Sequence, residues 1–154
     1  MDPTPRHLQP AAARTLAAWH DMIARNDLAG LDALVHPNAV FRSPMAHKPY
    51  PGREAVLLIL NTVMGVFENF KYHRELATDD GLSVVLEFSA EVNGRELKGI
   101  DLVRFDEQGL IREFEVMVRP MSGLQALGEE MARRVGQQLP AVQAAGAAAA
   151  ARRG

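Results

Sequence analysis

The sequence predicts an α+β fold in which helices pack on one face of a curved antiparallel sheet. Two observations predict it. Apolar residues recur at helical spacing through the first third of the chain, and they alternate at strand spacing, punctuated by hairpin turns, through the second half. The order read along the chain is α-α-β-α-β-β-β-β-α, and its 154 residues suit one domain.

Leu16, Trp19, His20 and Ile23 fall at i, i+3, i+4 and i+7, which predicts a first helix over 11–26. Asp27 can cap a short second helix with Leu28, Leu31, Leu34 and Val35 on its face. His36-Pro37-Asn38 breaks that helix, and 39–43 reads as a strand closed by Pro44. Residues 45–52 form a loop, and a third helix runs from Arg53 to about Phe67. Residues 70–78 read as a strand ended by Asp79-Asp80-Gly81.

From Leu82 to Val92 the alternation is regular, with Leu82, Val84, Leu86, Phe88, Ala90 and Val92 on one face. Asn93-Gly94 is a strong hairpin signal because both residues tolerate positive φ. Arg95 to Phe105 returns antiparallel, 106–109 turns again, and Leu110 to Arg119 makes the last strand before Pro120. Ser122 and Gln125 stand at capping-box spacing and open a final helix to about Leu139. The expected division is a flexible lead over 1–10, a domain over 11–139, and an alanine-rich tail over 140–154 that frays.

Composition excludes several classes of function. Apolar residues make up 47% and charged residues 23%, which is globular rather than disordered. A net charge of -2 carries no domain-wide basic footprint for nucleic acid. The absence of cysteine excludes disulfides, thiolate metal sites and a thiol nucleophile. Neither a signal peptide nor a membrane-length apolar run is present, so the expectation is a cytoplasmic protein with no membrane partner. His-x-His and His-Glu-x-x-His spacings are missing, and no metal site is expected.

Three stretches carry a resemblance to a family: Asn26-Asp27-Leu28-Ala29-Gly30-Leu31 with Pro37-Asn38-Ala39-Val40-Phe41 and Ser43-Pro44; Gly52-Arg53-Glu54-Ala55-Val56; and Gly99-Ile100-Asp101 through Phe105 with Gly109-Leu110-Ile111. Over about Ala11 to Val135 the chain resembles the SnoaL-like branch of the NTF2-like superfamily, which includes nuclear transport factor 2, scytalone dehydratase and ketosteroid isomerase. The resemblance implies a cone whose sheet wraps a mostly apolar pocket, a small apolar or cyclic ligand, no cofactor, and a homodimer through the outer sheet face. Ile100, Leu102 and Arg104 point to that outer face.

Asp101 is the most informative residue. It shares a strand face with Leu97, Gly99, Val103 and Phe105, where burial raises a carboxyl pKa. The neutral form can donate a hydrogen bond to a developing oxyanion, and the ionised form can abstract a proton. A structural Asp bound to an Arg or a backbone amide is the alternative. The resemblance to ketosteroid isomerase places Asp101 at its protonated oxyanion-hole acid. Two other positions depart from that enzyme. Trp19 stands where its first helix bears a tyrosine, and Ser43 precedes Pro44 where its catalytic aspartate stands. Steroid isomerisation by that mechanism is therefore not expected. Gly99 likewise departs from the arginine of the epoxide-hydrolase branch, and Glu113-Phe114-Glu115 from the cyclases' histidine-tryptophan-aspartate run.

His20 is the candidate acid–base partner of Asp101, or else a hydrogen-bonded core residue. His47, on the loop beside Pro44 and Tyr50, is a candidate at the pocket mouth. Tyr72 and His73 are neighbours on one strand, and the register alone decides which points inward. Arg119, at the end of the last long strand, can anchor an anionic group or form a structural ion pair. Trp19, Phe41, Ser43, Tyr72, Phe88, Val103 and Phe114 complete the expected ligand-binding set. Two functions remain open: a cofactor-independent isomerase, cyclase, dehydratase or hydrolase using Asp101, and a non-catalytic ligand-binding or scaffold module of the same fold.

Overall fold

The computed structural model describes residues 7–153. Helix α1 spans Pro10–Arg25, opens with proline at its first turn, and ends at Asn26 in the left-handed conformation (φ 53°). A 3-10 turn over Leu31–Leu34 replaces the expected second helix. The Asp27 carboxylate accepts from the Ala29 N–H at 2.9 Å, making a tight local turn instead of a helix cap. Strand β1 (Val35–Arg42) and the two-residue β2 (Tyr50–Pro51) follow, then α2 (Arg53–Met64). The meander is β3 (Glu68–Ala77), β4 (Ser83–Val92), β5 (Arg95–Phe105) and β6 (Ile111–Arg119). Helices α3 (Met121–Val135) and α4 (Leu139–Arg153) close the chain.

The architecture is α+β, with one six-stranded sheet in the order β2-β1-β6-β5-β4-β3. The sheet is mixed rather than wholly antiparallel, because β1 lies parallel to β6 while every other neighbouring pair is antiparallel. The β4–β5 hairpin keeps the register that a two-residue Asn93-Gly94 turn sets, with Phe88 opposite Gly99 and Leu86 opposite Asp101. His36-Pro37-Asn38 does not precede β1 but forms a bulge inside it, where the ladder with β6 slips between Val35 and Val40. A bulge tolerates a proline because no ladder hydrogen bond is required there.

Ser122 is not a cap. Helix α3 begins at Met121 with Pro120 at its N-cap, so Ser122 already lies within the first turn. Helix α2 stops at Gly65, which releases Phe67 from the expected helix. The alanine-rich segment is helical as α4 and seats on β2, where Gln143 donates to the Pro49 carbonyl at 2.7 Å. Of the expected N-terminal lead, residues 1–6 lie outside the described residues, and Gln9 donates from its backbone to the Gly81 carbonyl at 2.9 Å.

Two buried clusters meet under the helices. One joins α1, α2 and β1 to Val84, Leu86, Val103, Phe105, Ile111 and Phe114. The other gathers Val66, Phe88, Ala90, Val92, Leu97 and Leu127. Thr15 fastens α1 to the β5–β6 turn by donating to the Gly109 carbonyl at 2.6 Å. Among the described residues no helix is long and apolar enough to cross a membrane.

Candidate functional site

Between the sheet and helices α1, α2 and α3 lies a cavity of about 800 Å³. Its walls are mostly apolar, from Phe41, Phe67, Phe70, Phe114, Val116 and Met131 among others. Such a volume is within the range of small-molecule sites. Ser43, Pro44, Met45 and Ala46 from the β1–β2 loop line it beside Gly128 and Ala132 of α3 and Gly136 at its C-terminal end. The α3 stripe of small residues leaves room for the loop, since a Cβ at Gly128 would come within 2.4 Å of Met45 Cε.

One carboxyl group faces this space. Asp101 is 6% exposed, and β5 presents it on the inner face between Gly99 and Val103. Tyr72 Oη donates to Asp101 Oδ2 at 2.5 Å, and Trp19 Nε1 donates to Tyr72 Oη at 3.0 Å. Three elements thus converge on one hydrogen-bonded chain, from α1 through β3 to β5. Burial pushes the Asp101 carboxyl up from 3.8 to about 7, while the Tyr72 hydrogen bond pulls in the opposite direction. Tyr72 is itself raised well above its ordinary value, chiefly by burial and then by the Asp101 charge. Among the described residues no guanidinium or ammonium is paired with Asp101.

Asp101, Trp19, Phe41, Ser43, Tyr72 and Phe114 all line the cavity. The register places Tyr72 inward and His73 outward, where His73 Nε2 lies 2.8 Å from Ser89 Oγ. Phe88 and Val103 are buried behind the wall rather than on it. His20 does not pair with Asp101, because its Nε2 meets Glu75 Oε1 instead. His47 is exposed on the β1–β2 loop and is not on the cavity wall. Arg119 lies away from the cavity, exposed across from Lys98 and lining a polar groove at the β4–β5 hairpin end of the sheet.

Sequence reasoning missed Phe67, Phe70, Met131 and Leu139, which all reach the cavity. Phe67 and Phe70 stand at a helix end and a strand start, where periodicity changes and neither period assigns a face. Their contact with Phe88, at ring centroids of 5.5 and 5.1 Å, depends on the β3–β4 register. Gly99 carries a second lesson. A Cβ there would lie 2.6 Å from Phe88 Cζ and 2.4 Å from the Met117 carbonyl oxygen, so the Phe88 ring occupies the space over this strand position. An arginine cannot be placed there without displacing that ring.

A comparison with curated proteins gives no match. Among solved structures, a steroid delta-isomerase from Pseudomonas aeruginosa is 68% identical with a TM-score of 0.83, covering 86% of this chain and 97% of its own. An uncharacterised protein with a cystatin-like fold from Silicibacter pomeroyi is 32% identical with a TM-score of 0.76, covering 86% of this chain and 90% of its own. An NTF2-like protein of unknown function from Mesorhizobium loti shares the fold at 18% identity and a TM-score of 0.62, covering 77% of this chain and 98% of its own. The SnoaL-like domain family matches residues 16–114. On this match, and with an NTF2-like fold around an acid-bearing apolar cavity, the chain belongs to the SnoaL-like domain family.

Proposed function

We propose that this protein is a cofactor-independent, isomerase-type enzyme that moves a proton on a small, largely apolar cyclic molecule bearing a carbonyl group. The observation that carries the reading is Asp101: a buried carboxyl with a pKa of about 7, on the wall of an apolar cavity and without a cationic partner among the described residues. A base poised near neutrality combines a useful ionised fraction with a useful proton affinity. The name of the 68% identical structure, a steroid delta-isomerase, supports the same class of reaction.

The position read as aspartate in ketosteroid isomerase is Ser43 here, and the cavity wall offers no other carboxylate among the described residues. Any carbon acid bound there therefore loses its proton to Asp101. In the proposed step a C–H bond next to the carbonyl breaks and an O–H bond forms on Asp101. The electron pair moves to the ligand oxygen as an enolate. Protonation weakens Asp101 as an acceptor, so the Tyr72 hydroxyl can turn its hydrogen to the enolate while Trp19 Nε1 keeps donating to it. Return of the proton from Asp101 to a different carbon completes an isomerisation and restores the carboxylate.

A second reading is favoured by one observation: among the described residues Asp101, Tyr72 and Tyr50 are the titratable side chains on the wall, with no separate acid and base. A binding module using Asp101 only to orient its ligand has the same geometry. The exposed Met117, opposite Ile100, and the exposed Leu76, in one cross-strand row with Val85 and Leu102, lie on the outer sheet face and support a homodimer through that face.

The test is a thermal-shift screen of wild type and Asp101→Asn against phenolic, steroid, terpenoid and polyketide-like compounds, followed by turnover of the hits. A hit whose shift and turnover both depend on Asp101 supports the enzyme. A shift without turnover supports the binding module, and no Asp101-dependent shift rejects both.

A further inference from the structure

Trp19 and His20 are consecutive on α1, and both meet Tyr72. Trp19 reaches its hydroxyl, while His20 packs against its ring in an edge-on arrangement at 5.3 Å between centroids and 87° between planes. A bulge in β3 brings the fourth member to the same side. Tyr72 pairs with Phe88 and Glu75 with Leu86, so three residues of β3 advance against two of β4. Both Phe88 and Leu86 point into the core, and hence Tyr72 and Glu75 share the inner face although they are three residues apart. Without the bulge, strand alternation would send Glu75 to the outer face.

Glu75 uses that placement to meet His20 Nε2. His20 Nε2 and Glu75 Oε2 are both shielded from solvent, and among the described residues neither has a hydrogen-bond partner, so the approach of His20 Nε2 to Glu75 Oε1 is an ion-pair contact. A buried carboxylate oxygen left without a donor is a desolvation cost that a purely structural contact between apolar side chains would avoid. The cost falls beside the one tyrosine that touches Asp101.

We propose that His20 and Glu75 form a positioning pair that holds the Tyr72 ring, and through it the Tyr72–Asp101 hydrogen bond, in place. Its functional meaning rests on the reading of Asp101 as the proton-transfer group, but the contact itself does not. Among the described residues, the charged or titratable groups acting on Tyr72 are Asp101 and Glu75. Asp101 responds to burial and to Tyr72, with neither His20 nor Glu75 acting on it directly. Tyr72 thus links the pair to the carboxyl group, and a loosened Tyr72 reaches Asp101 as a weaker hydrogen bond.

The experiment follows the Asp101 carboxyl carbon by NMR across pH in protein labelled at aspartate, without any ligand. Wild type is compared with Glu75→Leu, Glu75→Gln and His20→Ala, each first shown to be folded by its thermal melt. Glu75→Leu and His20→Ala are expected to increase the proton affinity of Asp101 about threefold or more, because the hydrogen bond that favours its ionised form is weakened. Glu75→Gln, which keeps a partner for His20, is expected to stay within about twofold of wild type. A midpoint that is unmoved or lowered in Glu75→Leu and His20→Ala overturns the proposal. An equal shift in Glu75→Leu and Glu75→Gln also overturns it, since charge and not positioning would then be responsible. The titration needs no turnover, so a protein that isomerises nothing can still pass or fail it.

Discussion

Tyr72 Oη lies 2.5 Å from Asp101 Oδ2, and this is the hydrogen bond found for the carboxyl group in the cavity wall. It joins β3 to β5 across β4 and sets the acid's proton affinity against the effect of burial. Tyr72→Phe should therefore raise the Asp101 midpoint above its value of about 7. The same change leaves Trp19 Nε1 without its acceptor. A cost of about 1–3 kcal/mol is expected for the lost bond and the orphaned indole N–H, measurable by urea denaturation.

The ionisation of Asp101 should be visible in stability. The folded carboxyl titrates at about 7 and its ordinary value is 3.8, so between these limits the folded state binds more protons than the unfolded state. Stability then falls as pH rises through that window and levels off above it. Three pH units at this site correspond to an upper limit of ~4 kcal/mol. Asp101→Asn keeps an acceptor for Tyr72 but cannot ionise. It should match wild type near pH 4, melt higher than wild type at pH 8, and lose the slope between them.

Gly128 tests the contact between α3 and the β1–β2 loop on the cavity wall. A larger side chain there meets the flexible end of Met45, not backbone. Gly128→Leu should hold or raise the thermal midpoint, because glycine inside a helix is about 1 kcal/mol worse than a good helix former. It should also weaken the response to any ligand that enters past Met45. Opposite signs of the two readouts are the expected result of one substitution.

Gly99 tests the aromatic wall. Its added methyl would meet a backbone carbonyl oxygen at 2.4 Å and the Phe88 ring at 2.6 Å, and the carbonyl cannot move without disturbing the β5–β6 ladder. Gly99→Ala should cost about 1–3 kcal/mol by chemical denaturation. Phe88 contacts Phe67 and Phe70 on the cavity wall, so the same variant should also alter ligand selectivity.

Much of the architecture was legible because β4 and β5 alternate in regular register around Asn93-Gly94. That alternation placed Asp101 among inward apolar residues, and the structure buries it there. Two bulges explain much of the rest. His36-Pro37-Asn38 reads locally as a break, yet it is a bulge held in the ladder on both sides. The Tyr72–Glu75 bulge changes a face assignment that a two-residue period cannot foresee. It also accounts for His20, whose helix face was read correctly but whose partner lies on a strand in irregular register. Arg119 was expected at the ligand, but strand parity opposite Lys98 turns it to the outer face.

The most direct measurement is turnover of a β,γ-unsaturated ketosteroid across pH, read as the ultraviolet absorbance of the conjugated enone, with wild type beside Asp101→Asn. If Asp101 is the base, the wild-type rate rises with pH through a midpoint near 7, and Asp101→Asn loses the activity. A rate that falls as pH rises through the same midpoint would make Asp101 a neutral hydrogen-bond donor instead. Equal rates in the two proteins would contradict any role for this carboxyl group in the reaction.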